Sequence, residues 1–262
     1  MRLVRRNDHD PLTALADLPD VTPAIESARR AIDAVLWDRH VRSASAEVAE
    51  RSRMQGASAS AALDGADLAV VEDSPMGRTL LAAQVVTEQA ARQSDTWERA
   101  PLQVIAALHA VIVRGLAVPD EPGRPRSIGG EHAGADPLRL GALPPPETVA
   151  PRLQGLARVI SGSATVPGLL VAAVVHGELM TLRPFGVGNG LLARAVVRCV
   201  LVSRGVDPSM FTIPEEGMLA AGRPAYARAL QDFATGTPDR MARALIAFAS
   251  WCESGAMIVR AG

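Results

Sequence analysis

Twelve residues, Arg183-Pro184-Phe185-Gly186-Val187-Gly188-Asn189-Gly190-Leu191-Leu192-Ala193-Arg194, have the composition of an anion cradle. A Gly-Asn-Gly turn that opens a helix leaves backbone N–H groups unpaired where the helix dipole also favours negative charge. Small residues let a phosphate approach that backbone closely. Gly188, Asn189, Gly190 and Arg194 are therefore candidate phosphate-binding residues, with Arg183 a further cation beside the turn. The stretch holds no base, carboxylate or thiol. It can attract an anion, but it supplies neither a proton acceptor nor a ligand for a hard metal ion.

The segment resembles the signature of the Fic (Fido) family, which reads His-Pro-Phe-x-Asp/Glu-Gly-Asn-Gly-Arg-x-x-Arg. Pro184, Phe185, Gly188, Asn189, Gly190 and Arg194 match it. The family's proton-accepting histidine falls on Arg183, its Mg²⁺-holding carboxylate on Val187, and its first arginine on Leu191. Enzymes of that family typically transfer AMP from ATP to a Ser, Thr or Tyr hydroxyl on a protein. An arginine stays protonated at any working pH and cannot act as a general base. A valine offers no oxygen to a cation. The resemblance thus implies ATP or another nucleotide as ligand, argues against Mg²⁺ and any other metal, and leaves no confident catalytic residue.

A second stretch, Ser60-Ala61-Ala62-Leu63-Asp64-Gly65, resembles the inhibitory motif of many Fic proteins, Ser/Thr-x-x-x-Glu-Gly/Asn. In the family, that glutamate reaches the second signature arginine and blocks productive ATP binding. Ser60, Asp64 and Gly65 occupy the matching places, so the expected pair is Asp64 with Arg194. Aspartate is one methylene shorter than glutamate, and a longer or water-bridged contact is expected.

The elements that must hold these residues are mainly helical. The chain has 262 residues, 48% of them hydrophobic but only 3% aromatic, so the core is built from Leu, Val, Ile and Ala. Ala and Leu favour helices. Net charge is −1, so no global basic field points to nucleic acid or an anionic membrane. All 27 basic residues are arginine, which excludes a P-loop or Schiff-base lysine. Cys199 and Cys252 lie far apart with no CxxC, so neither a disulfide framework nor a thiolate zinc site is expected. No apolar signal core follows the N-terminal arginines, and uninterrupted apolar runs fall short of a membrane span. A cytoplasmic protein is the expectation.

Residues 1–23 read as an extended lead-in, and a helix is expected from Pro23 to about Arg53, with Ile25, Ala28, Ile32 and Val35 on one face. Two helices follow within 76–116, one carrying His109 on an apolar stripe as a structural histidine. Residues 118–130, rich in Pro and Gly, resemble the Fic flap, a β-hairpin that aligns a target peptide, although Pro125 would interrupt an inner strand. A helix is expected over 149–160, a fully buried one over 167–182 with His176 in the core, and another over 190–204. Arg194 and Arg198 share one face of that last helix, and buried charges need partners. The fold expected is a mainly α, Fic-like helical bundle with a short β-hairpin flap. Its divisions are an N-terminal helical extension (1–54), an inhibitory-helix-like segment (55–75) and a core (76–255).

Three functions compete on these grounds. The first is a nucleotide- or phosphate-binding pseudoenzyme in which Arg183 partly replaces Mg²⁺. The second is an active nucleotidyltransferase with altered chemistry, borrowing His132 or His176 as base. The third is a non-enzymatic interaction protein in which Arg194 merely satisfies Asp64 and Arg183 points to solvent. Expected partners are a nucleotide or phosphate, a protein docked through the 118–130 flap, and a second copy in a homodimer; neither nucleic acid nor membrane is expected.

Overall fold

The computed structural model describes residues 10–66, 74–118, 121–128, 136 and 138–261. Among them twelve helices follow in chain order. The first six are α1 (Thr13–Ala16), α2 (Val21–Leu36), α3 (Arg39–Ser43), α4 (Ser45–Leu63), α5 (Pro75–Trp97) and α6 (Pro101–Leu116). The rest are α7 (Pro146–Gly162), α8 (Gly168–Leu182), α9 (Asn189–Ser203), α10 (Pro214–Ala221), α11 (Arg223–Thr235) and α12 (Pro238–Ala261). No strand occurs among the described residues.

The centre is α8 and α9. Both are apolar on nearly every side, and a helix without a polar face must be enclosed by others. α9 packs against α4, α5, α6 and α8, while α2 and α10 close on α12. Both cysteines are buried on these inner helices, and burial pushes the Cys199 thiol up to about 12, which keeps it unreactive. α12 is long and apolar enough by composition to cross a membrane, a length that uninterrupted apolar runs do not reveal. Its apolar side instead packs on α2, α8, α10 and α11.

Several expectations need correction. The helix expected from Pro23 to Arg53 is broken after Leu36, because the Asp38 carboxylate accepts the N–H groups of His40 (2.8 Å) and Val41 (3.3 Å) and starts α3. The inhibitory-like stretch from Ser60 forms the last turn of α4 and its cap at Asp64, and residues 54 and 55 lie within the same helix. Residues 10–23 are not extended. Asp10 ties them down by accepting from the N–H groups of Leu12 (3.0 Å) and Thr165 (3.0 Å), and α1 follows.

The β-hairpin is not seen, and residues 119–120 and 129–135 of that region, with His132, lie outside the described residues. Residues 121–128 run as irregular chain fastened by Arg126. Its N–H donates to Pro184 O (2.7 Å), and its buried guanidinium donates to the carbonyls of Arg183 (2.7 Å) and Leu182 (3.0 Å). Those bonds spend the segment's polar groups on the end of α8, and Pro125 has no N–H to give a ladder.

Candidate functional site

The turn between α8 and α9 is braced residue by residue. Arg183 ends α8 in the left-handed region (φ 46°), and Gly188 starts α9 from the same region (φ 68°). Gly188 is required twice over, since the Ile112 side chain occupies the space a Cβ would need. Asn189 clamps the loop, its Oδ1 accepting from Phe185 N (3.0 Å) and its Nδ2 donating to Phe185 O (2.8 Å). The Asn189 side chain is thus committed to the loop. His109 is fully buried and stacks flat on Phe185, ring centroids 3.8 Å apart. Its Nδ1 accepts from Gly123 N (3.0 Å), so Nε2 carries the proton and donates to Val187 O (3.2 Å). His109 is a strut for the cradle.

The inhibitory-like stretch comes to that cradle through a four-residue rhythm. Ser52, Gly56, Ser60 and Asp64 fall on one stripe of α4, and Arg198, Arg194 and Gly190 on one stripe of α9. The two stripes run antiparallel. Ser52 O accepts from Arg198 Nη2 (3.3 Å), Ser60 Oγ from Arg194 Nε (2.7 Å) and Ser60 O from Arg194 Nη2 (3.0 Å). Asp64 Oδ1 lies 2.8 Å from Arg194 Nη2. The contact is direct, not lengthened or water-bridged as expected, because Asp64 is the cap of α4 itself. A Schellman closure, Ala66 N to Ala61 O (3.0 Å) and Gly65 N to Ala62 O (2.9 Å), turns the chain there with Gly65 at φ 93°. The Asp64 carboxylate then packs on Gly190, where any Cβ would collide with both of its oxygens.

Arg194 is 1% exposed. Burial opposes its charge, but the Asp64 carboxylate outweighs that and holds the guanidinium protonated more firmly than usual. Its Nη1 makes a long contact to Tyr226 Oη (3.5 Å), which leaves the phenol free to donate to His176 Nε2 (2.8 Å). Burial, helped by the nearby Arg194 charge, drives His176 down to about 3, so the ring is neutral. Burial pushes Tyr226 up to about 12. His176 packs with Tyr226, Phe248 and Trp251; it does not line the cleft and is not placed to serve as a substitute base.

In front of the cradle lies a cleft of about 210 Å³ lined by Leu116, Leu138, Leu140, Met180, Val187 and Leu191, with Asp64, Asp136 and Arg183 as its charged groups. Arg183 does not point to solvent: it is 9% exposed. Its Nη2 donates to the carbonyls of Gly141 and Ala142, both at 2.7 Å, and its Nη1 is 3.3 Å from Asp136 Oδ2. The Arg183 guanidinium therefore ties Asp136, Gly141 and Ala142 to the end of α8 beside the cleft. Its Nε is buried without a partner. The residues do not fit a magnesium ion. Val187 brings no oxygen, the two carboxylates are engaged by Arg194 and Arg183, and no group of three His, Cys, Asp or Glu gathers among the described residues.

Two partners went unread in the sequence. Glu215 grips Arg198 in a bidentate pair (2.7 and 2.8 Å), both side chains 2% exposed. Tyr226, which meets both Arg194 and His176, carries no local signal of that role. The four-residue spacing of small residues on α4 was the signal that could have found the ladder.

Residues 99–201 match the Fic/DOC family, a span that includes the whole signature loop. A Fic family protein from Desulfovibrio desulfuricans G20 has a similar solved structure, with 16% identity and TM-score 0.69 over 91% of this chain and 74% of that one. Fic-1 from C. elegans (its residues 134–508) is similar at 16% identity and TM-score 0.66, over 96% of this chain and 74% of that one. No curated protein matches in sequence. The two structures speak for the fold. The chain has the fold of those Fic proteins, and its residues 99–201 are similar to the Fic/DOC family.

Proposed function

We propose that this protein is a nucleotide- or phosphate-binding pseudoenzyme, which holds an anion at Gly190 and Arg194 and does not transfer AMP. The observation that carries the reading is the Asp64 carboxylate, packed on Gly190 and 2.8 Å from Arg194. The cradle holds an anionic group already, and that group belongs to the chain itself. An external phosphate competes with Asp64 for the same donors. The residue in the family base position, Arg183, cannot accept a proton and is bonded to the carbonyls of Gly141 and Ala142. Loss of a general base alone costs about 10²–10⁴-fold in rate.

Calorimetric titration of ATP into the parent and Asp64→Gly proteins, with and without Mg²⁺, tests the reading. The variant is expected to bind at least about tenfold more tightly, a change of about 1.4 kcal/mol, with no dependence on Mg²⁺. Neither protein is expected to label a lysate from radioactive ATP. Transferred label would revive the transferase. Silence of the folded variant toward every anionic probe, ATP, inorganic phosphate and alkyl anions alike, would end the proposal.

A further inference from the structure

The lining of the cleft selects its ligand more narrowly than anion binding alone. We infer that the cleft takes a small amphipathic anion: a single phosphate or carboxylate head at Gly190 and Arg194, with an aliphatic body reaching toward Arg183. This rests on the anion-binding proposal and narrows it.

Charge comes first. Arg194, buried behind the cleft, is balanced by one carboxylate, Asp64, and the cation that lines the cleft, Arg183, has Asp136 beside it. Withdrawal of Asp64 therefore leaves room for one head group. The further phosphates of a triphosphate would meet the Asp136 carboxylate, with no metal-ligand set among the described residues to offset the repulsion. The walls come second. Leu116, Leu138, Leu140, Met180, Val187 and Leu191 are all aliphatic or thioether, and no aromatic ring among the described lining residues offers a stacking face to a base. Size agrees: about 210 Å³ lies below the roughly 300–1,000 Å³ of pockets that enclose drug-sized ligands.

Arg183 sets the length. Together with Leu140 it lies between this cleft and a second one of about 160 Å³, lined also by Arg152, Thr181 and Gln231. It is nine-tenths buried, and its Nε lacks a partner on that partition. The geometry makes it the end wall for the aliphatic body, and so a specificity-determining residue.

Calorimetry on Asp64→Gly, with Asp64→Asn as the second variant should the first fail to fold, decides the matter. The probes are ATP, inorganic phosphate, a series from ethyl to decyl phosphate, and heptanoate. Affinity is expected to rise by about fourfold for each methylene taken out of water and then to level off, with hexyl phosphate or heptanoate exceeding both ATP and inorganic phosphate; the tighter of the two names the head group. A flat series, or ATP binding more tightly than hexyl phosphate, overturns this inference and leaves the anion-binding proposal standing. No binding of any probe to the folded variant overturns both. Arg183→Gly, a residue suited to φ 46°, is expected to move the plateau to longer chains. An unmoved plateau removes Arg183 as the end wall.

Discussion

Arg194 and Arg198 lie one turn apart on α9, are equally buried, and face the same stripe of α4, yet they are held in opposite ways. Arg198 meets Glu215 through two short bonds, with both side chains sealed from water. Arg194 meets Asp64 through one oxygen, and the Asp64 side chain keeps 14% of its surface open to the cleft. A buried pair is costly to break because the survivor is left charged in a poor solvent. A partner at the lip can be exchanged for another anion, which then meets the same need. The contrast teaches that one ladder of contacts can carry both a rivet and a latch, and that access of the carboxylate to solvent separates them.

The largest effect should come from breaking the rivet. Glu215→Ala leaves Arg198 buried without its carboxylate and is expected to cost about 3–5 kcal/mol, read by denaturant unfolding, with no gain in affinity for any anion. Next comes acid. The folded ring of His176 has its pKa at about 3, below the ordinary value of about 6.5. It therefore contributes stability that is complete above pH 6.5 and is lost as pH falls toward 3. By pH 5 the loss is about 2 kcal/mol, and His176→Gln should flatten that part of the stability profile. Asp64→Gly should cost less, about 1–2 kcal/mol, because Ser60 still accepts two bonds from Arg194; unlike the first change, it should raise anion affinity. Tyr226→Phe removes only the long contact to Arg194 and the donor to His176, and about 1 kcal/mol is expected from thermal unfolding.

The parts of this arrangement that rest on local pattern were legible in the sequence. An all-round apolar run marks α8, and the Gly-Asn-Gly turn marks the start of α9. The rest depends on distance. Glu215 lies on α10, an eight-residue helix whose pattern is too short to stand out, and nothing local ties it to Arg198. The break after Leu36 turns on a single capping aspartate inside an otherwise continuous helical period. In the sequence Arg183 reads as a cation beside an anion cradle, whereas its bonds to the carbonyls of Gly141 and Ala142 come from residues 42 and 41 positions away. Tertiary competition for a donor leaves no trace in residue spacing.

The central claim is that Asp64 is an exchangeable anion on a cradle that accepts others. Its most direct test is calorimetric titration of ATP and hexyl phosphate into Asp64→Gly and Glu215→Ala side by side, each checked for folding by circular dichroism. Tighter binding to the first protein and none gained by the second is the predicted result. An Asp64→Gly protein that stays folded and binds neither probe better than the parent would contradict it.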